Sequence, residues 1–138
     1  NLSNRYCTKL ADSEQSEGHA ILDLGAEDFT AKAPHPVFDP GLRLKRLCQE
    51  LQDPEVAVVL LDFITGPGVA YDPITAFARE CEKHPDIIFI SNICGSLEDP
   101  QNVEEKQLLL EESSVIVTKS NYQSTKLASA LMNALERR

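Results

Sequence analysis

This chain is short of methionine, paired cysteines, long apolar runs and basic charge, and each shortage narrows what it can be. Its only methionine is Met132 and it opens on Asn1, so it reads as a fragment or processed product of a longer protein. The four cysteines, Cys7, Cys48, Cys81 and Cys94, form no Cys-x-x-Cys and no Cys/His pair at zinc spacing. A structural metal or a redox pair is therefore not expected, and reduced thiols in a cytoplasmic protein are. No apolar stretch approaches the roughly 20 residues that cross a bilayer, and the polar start lacks the basic and apolar regions of a signal peptide. Thirteen Lys and Arg against 22 Asp and Glu give a net charge of -9. That charge repels nucleic acid and anionic membrane at long range, so neither is expected as a partner.

With 138 residues the chain is one ordinary domain that needs no disulfide to fold. Residues 1–17 are polar and read as a flexible segment or linker, which puts the domain at 18–138. Ala20 to Leu24 is a short apolar strand candidate stopped by Gly25, and 26–40 holds three prolines with no helical period. Leu44, Leu47, Cys48 and Leu51 then stand at helical spacing, with Arg43, Lys45 and Arg46 on the other face. Val56 to Leu61 is a nearly continuous apolar run ending at Asp62, as in a strand buried on both faces in the middle of a parallel sheet. Pro73 to Lys83 predicts a second helix, Ile87 to Ile90 a third strand and Gln101 to Glu112 a third helix. Val115 to Val117 predicts a fourth strand, and a last helix ends in Arg137 and Arg138. Four strand-helix units in regular order predict a three-layer α/β domain, an open and mainly parallel sheet with helices on both faces.

Aspartate precedes proline at Asp39, Asp53, Asp72 and Asp99. Such a pair starts helices well, because the carboxylate accepts from the first free amides and proline at the first helical position loses no needed donor. Asp53-Pro54 instead turns the chain into the central strand.

In open parallel sheets, ligands collect beyond the carboxyl ends of the strands. There the sequence offers Gly66-Pro67-Gly68-Val69, with Asp72 a few residues on, between a buried strand and a helix start. Glycine permits close backbone approach and free helix amides attract phosphate or carboxylate. The opposite reading is a purely structural turn, since neither a dinucleotide fingerprint nor a phosphate-loop lysine follows and Asp72 would repel a second anion. The loop carrying Cys94 and Gly95 should open on the same edge, so the two loops can form opposite walls of one cleft. Cys94 is there a possible nucleophile, or more simply a small buried thiol. Pro34-His35-Pro36 holds an imidazole on a stiffened loop, able to bind an anion or move a proton, or merely to pack. No metal site is expected: Asp23 and Asp62 near strand ends lack further ligand spacing.

Several of these segments occur together in one known family. Gly18 to Gly25, Pro34-His35-Pro36 with Asp39-Pro40, Leu61-Asp62 with Gly66-Pro67-Gly68 and Asp72-Pro73, and Gly95 with Asp99-Pro100-Gln101 resemble, in order and from about Gly18 onward, the FdrA family. Its members are described as acyl-CoA-synthetase-like and are similar to the succinyl-CoA synthetase superfamily. The resemblance implies a CoA-ligase domain of flavodoxin-like fold. It also implies phosphate-facing roles for Gly66 and Gly68, and it places His35, Asp39 and Asp72 within the family's own motifs. That superfamily exchanges acyl-CoA and phosphate through a phosphorylated histidine; Gly18-His19-Ala20 resembles that signature but stands before the first strand. Family sequences carry Gly-Arg before Pro-His-Pro where this chain has Lys32-Ala33, which removes a bidentate donor that lysine does not copy. The family is also linked to carbamoyl transfer in purine-ring catabolism.

The expectation is thus a domain of an acid-CoA ligase-like or carbamoyl-transferring enzyme, inactive alone. It should contribute Gly66, Pro67, Gly68, Val69, Asp72, His35, Cys94 and Gly95 to a site for a small anionic substrate. No cofactor is expected on this domain by itself, while CoA or a nucleotide belongs to the full-length protein, whose other domains or subunits are the expected partners. A non-catalytic docking module is the rival reading.

Overall fold

The structure is a computed structural model and describes residues 8–69, 72, 74–96, 98–135 and 137. Three strands, β1 (Val58–Ile64), β2 (Ile88–Cys94) and β3 (Ile116–Thr118), form one parallel sheet in the order β1-β2-β3. Val58 pairs with Ile88 and Ile64 with Cys94, so both strands end at the same level. The helices are α1 (Glu27–Thr30), α2 (Gly41–Glu50), α3 (Ile74–Cys81), α4 (Val103–Glu112) and α5 (Asn121–Leu135).

Period-2 geometry divides the strand residues between two helical layers. Leu61, Phe63 and Phe89 face a core built with Leu47 and Leu51 from the α2 region, Ile74, Phe77, Ala78 and Cys81 of α3, Leu110 of α4, and Val115. On the opposite face α5 lies against all three strands and buries Ser124 and Ala128 beside Ile90 and Asn92. The architecture is α/β, an open parallel sheet flanked by helices, consistent with a flavodoxin-like fold. No described helix is long and apolar enough to cross a membrane.

Four expectations are corrected. Residues 20–24 are not a strand: Asp23 turns the chain, its Oδ1 accepting from Gly25 N at 3.0 Å and its carbonyl from Ala26 N at 3.2 Å. Without that strand β1 is, among the described residues, an edge strand and not a central one. Leu61 and Phe63 are buried, while Leu60 and Ile64 are 40% and 52% exposed, because α5 leaves the outer part of that face uncovered. The strands also run past the apolar runs, so Asp62 lies inside β1, and Ser91 to Cys94 belong to β2 rather than to a loop. Ladder bonding continues there because Ser91 is satisfied internally, its Oγ donating to Leu61 O at 2.8 Å. Finally, the proline-bearing stretch contains the short helix α1, seated by buried Phe29.

Each of the four aspartates that precede proline accepts from the amide two residues on. Asp39 takes Gly41 N at 2.8 Å, Asp53 Glu55 N at 2.9 Å, Asp72 Ile74 N at 3.0 Å and Asp99 Gln101 N at 2.9 Å. This is the Asx turn that aspartate favours. α2 and α4 depart from the expected start. The cap of α2 is Pro40 itself, with no side-chain cap bond. The cap of α4 is Asn102, held at φ 51°, where asparagine is tolerated, and its side chain accepts from Glu105 N. The expected role of Pro73 as first helical residue, and the readings of Cys7 and Arg138, lie outside the described residues.

Part of the stretch read as a linker runs along α2. Arg46, 6% exposed, donates to Ser13 O and Ser16 Oγ while pairing with Glu50, and Gln49 Nε2 donates to Glu14 O at 2.8 Å. A buried guanidinium left without acceptors is costly, so the position of 13–16 depends on these contacts. Arg46→Leu should raise hydrogen exchange in 8–17 at least tenfold while β2 stays protected; uniform protection would refute the coupling.

Candidate functional site at the carboxyl edge

Both glycine-bearing turns leave the sheet at one edge, because β1 and β2 are parallel and in register to their ends. Thr65 N donates to Cys94 O at 2.9 Å and so carries the pairing one step beyond the strands. The chain then reverses at Gly66-Pro67-Gly68-Val69, closed by Val69 N to Gly66 O at 3.1 Å. Proline at the second position and glycine at φ 89° in the third are the chemistry of a type II turn. Any side chain at position 68 is strained.

The second turn fits against the first through a missing Cβ. A Cβ on Gly95 would lie 2.1 Å from Thr65 Oγ1 and 2.9 Å from Val103 Cγ2, so only glycine lets these segments meet. Gln101 Nε2 reaches Val69 O at 3.4 Å across the same seam. Among the described residues, Thr65 Oγ1, Asp99 Oδ2 and Gln101 Oε1 are buried there without a protein hydrogen-bond partner. An orphaned buried hydroxyl costs about 1–3 kcal/mol. Thr65→Val should therefore raise stability by about 1 kcal/mol in urea unfolding; a loss of that size would show that the hydroxyl is paired in solution.

Asp72 stands on this edge as the cap of α3. It accepts from Ile74 N, from Thr75 N at 3.3 Å and from Thr75 Oγ1 at 2.6 Å, and it forms an ion pair with Lys106. Burial pushes its carboxyl up, but the hydrogen bonds from Lys106 and Thr75, with the Lys106 charge, carry it below the ordinary range. Because the folded-state pKa is the lower one, the stabilisation is present at neutral pH and is lost as acid protonates Asp72. Asp72→Asn should thus lie below wild type by about 0.5–1 kcal/mol at pH 7. The gap should close as pH falls below about 4; a gap independent of pH would contradict the assignment. The α3 amides are already engaged by this carboxylate, so any anion at the edge must be met by the turns themselves.

His35 sits in a neighbouring cleft of about 220 Å³ that also takes in Gly25, Arg43, Asp62 and Val69. Val69 is common to both features. Cys94, read as a buried thiol, is exposed at the end of β2, because the strand runs four residues beyond Ile90. Cys81 is the buried one, and burial pushes its thiol up to about 12, which keeps it protonated and unreactive. Arg43 was missed by sequence reasoning, while Thr65 opens the glycine loop and Gln101 falls within the family motifs already singled out. On α2 Arg43 looked like one more solvated cation among Lys45 and Arg46, and only tertiary packing turns it inward.

Both glycine turns thus lie beyond the carboxyl ends of the strands, the side on which open α/β sheets collect their ligands. The chain matches the CoA-ligase family over residues 4–131 and belongs to that family. It is 34% identical over 128 residues to the uncharacterized protein YahF of Escherichia coli (strain K12), an alignment covering 87% of this chain and 25% of that protein. The chain therefore spans about a quarter of the length of this curated relative.

Proposed function

We propose that this chain is the CoA-ligase domain of an FdrA-like, acyl-CoA-synthetase-like protein, contributing one wall of a phosphate or acyl-phosphate site. The reading is supported above all by the bond from Thr65 N to Cys94 O, which joins the Gly66–Val69 and Cys94–Gly95 turns on one strand edge. Family membership supports the succinyl-CoA synthetase-like part. The FdrA assignment is carried by the ordered motifs from Gly18 to Gln101. In this reading the domain holds no cofactor alone, and CoA, nucleotide and turnover belong to the rest of a longer cytoplasmic protein.

The test uses the longer protein that carries this domain, supplied with CoA, ATP and a carboxylic acid, and in a parallel assay with carbamoyl phosphate and an acceptor. Formation of acyl-CoA and phosphate, reduced at least tenfold by Gly68→Val, is the expected result. Consumption of carbamoyl phosphate alone would replace the ligase by a carbamoyltransferase. A full rate in Gly68→Val would move the chemistry away from this edge.

A further inference from the structure

Beside the glycine edge lies the cleft containing Arg43, and its donors are held in place by the fold. The Arg43 guanidinium is fixed on one side by two rings, its Cζ lying 5.2 Å from the Phe63 ring centre and 5.3 Å from that of Phe77. Nη2 donates to the carbonyl of Asp62 at 2.7 Å, which fixes rotation in the plane. Among the described residues that is its one hydrogen bond, and a guanidinium carries five N–H donors, so most remain for a ligand. Burial lowers the Arg43 pKa and the Asp62 charge raises it again, but arginine stays a cation at any working pH.

His35 supplies a second donor in the same cleft. Its Nδ1 accepts from Val37 N at 3.2 Å, which places the proton of the neutral ring on Nε2. Nε2 lies so near Gly25 that a Cβ there would come within 2.6 Å. Leu22, Val37 and Ile64 add apolar wall to the cleft of about 220 Å³.

We infer that this cleft is a binding site for a short aliphatic carboxylate, with Arg43 and the Nε2–H of His35 as donors to its oxygens. A carboxylate matches the planar fork of arginine, and the apolar wall matches a short alkyl chain. Phosphate fits less well. Asp23 and Asp62 also line the cleft, and a dianion meets about twice the repulsion that a monoanion does. The Asp62 carboxylate is drawn toward α5, its Oδ2 accepting from Asn121 Nδ2 at 2.6 Å, so a single negative charge is tolerated. That this carboxylate is the acid substrate rests on the proposed ligase function, whereas its binding in the cleft does not.

The 138-residue chain is titrated with sodium propionate and, separately, with inorganic phosphate, following amide shifts by NMR. Propionate should saturate with shifts at 22–25, 35–37 and 43. Arg43→Gln should weaken it at least tenfold, and Arg43→Lys, which keeps the charge but not the fork, nearly as much. Gly25→Ala, which displaces His35 and leaves Arg43 in place, should weaken it severalfold. Phosphate should compete poorly. Unchanged propionate affinity in a folded Arg43→Lys chain, shifts elsewhere only, or tighter phosphate than propionate at these residues would each overturn the inference. Phosphate shifts at the glycine turns concern the other reading: their loss with propionate binding intact would remove the phosphate edge and leave the carboxylate cleft.

Discussion

Phe63→Ala is expected to lower the unfolding free energy by about 3–5 kcal/mol, the usual cost of emptying a fully buried phenylalanine site. Phe63 has no solvent exposure and meets Phe77 edge-on, with ring centres 5.4 Å apart at 83°. A domain of this size has roughly 5–15 kcal/mol in total, so the variant should be partly unfolded in mild urea. The same ring carries the Arg43 guanidinium. Phe63→Leu retains most of the apolar burial and removes that aromatic surface, so it should leave the fold intact while weakening propionate binding. Equal propionate affinity in Phe63→Leu would show that Phe77 alone orients Arg43. A loss below about 1 kcal/mol in Phe63→Ala would mean that the core collapses to fill the space.

Gly95→Ala comes next in size, and its cause is local. The new methyl carbon would overlap Thr65 Oγ1 at 2.1 Å and crowd Val103 Cγ2 at 2.9 Å, so the two turns must separate. Overpacking of this kind costs about 1–3 kcal/mol. Adding Thr65→Ala to Gly95→Ala removes the nearer atom and should recover at least half of the loss in a double-mutant cycle. Additive losses would show that the turns do not touch in solution. Phosphate response at the glycine turns should fall in the single variant and return in the double one, since the seam sets the spacing of the two walls.

The sequence was legible where one local rule decides structure. Leu44, Leu47 and Leu51 mark α2, Asp72 marks the start of α3, and Pro67-Gly68 marks the turn, because period, cap and turn type are properties of a few neighbouring residues. It was illegible where a partner decides. Val58 to Leu61 has the composition of a central strand, yet its edge position follows from Asp23 turning the chain before a further strand forms. Cys94 reads as a small buried residue, but exposure depends on how far the ladder of β2 extends. Of the expected site residues, Gly66 to Val69, Asp72, Cys94 and Gly95 share one edge, and His35 joins them only through the cleft that also contains Val69. Arg43 had no sequence signal, since its inward turn rests on Phe63 and Phe77 from two other elements.

The proposed function stands on the two glycine turns acting together on one anion. A titration of the chain with inorganic phosphate, read residue by residue by NMR, tests this most directly. The account predicts saturable shifts at 65–69 and 94–96 that vanish together in Gly68→Val, whose side chain cannot adopt φ 89° without strain. Saturable shifts confined to residues remote from both turns, or shifts at the turns that persist in Gly68→Val, would contradict it.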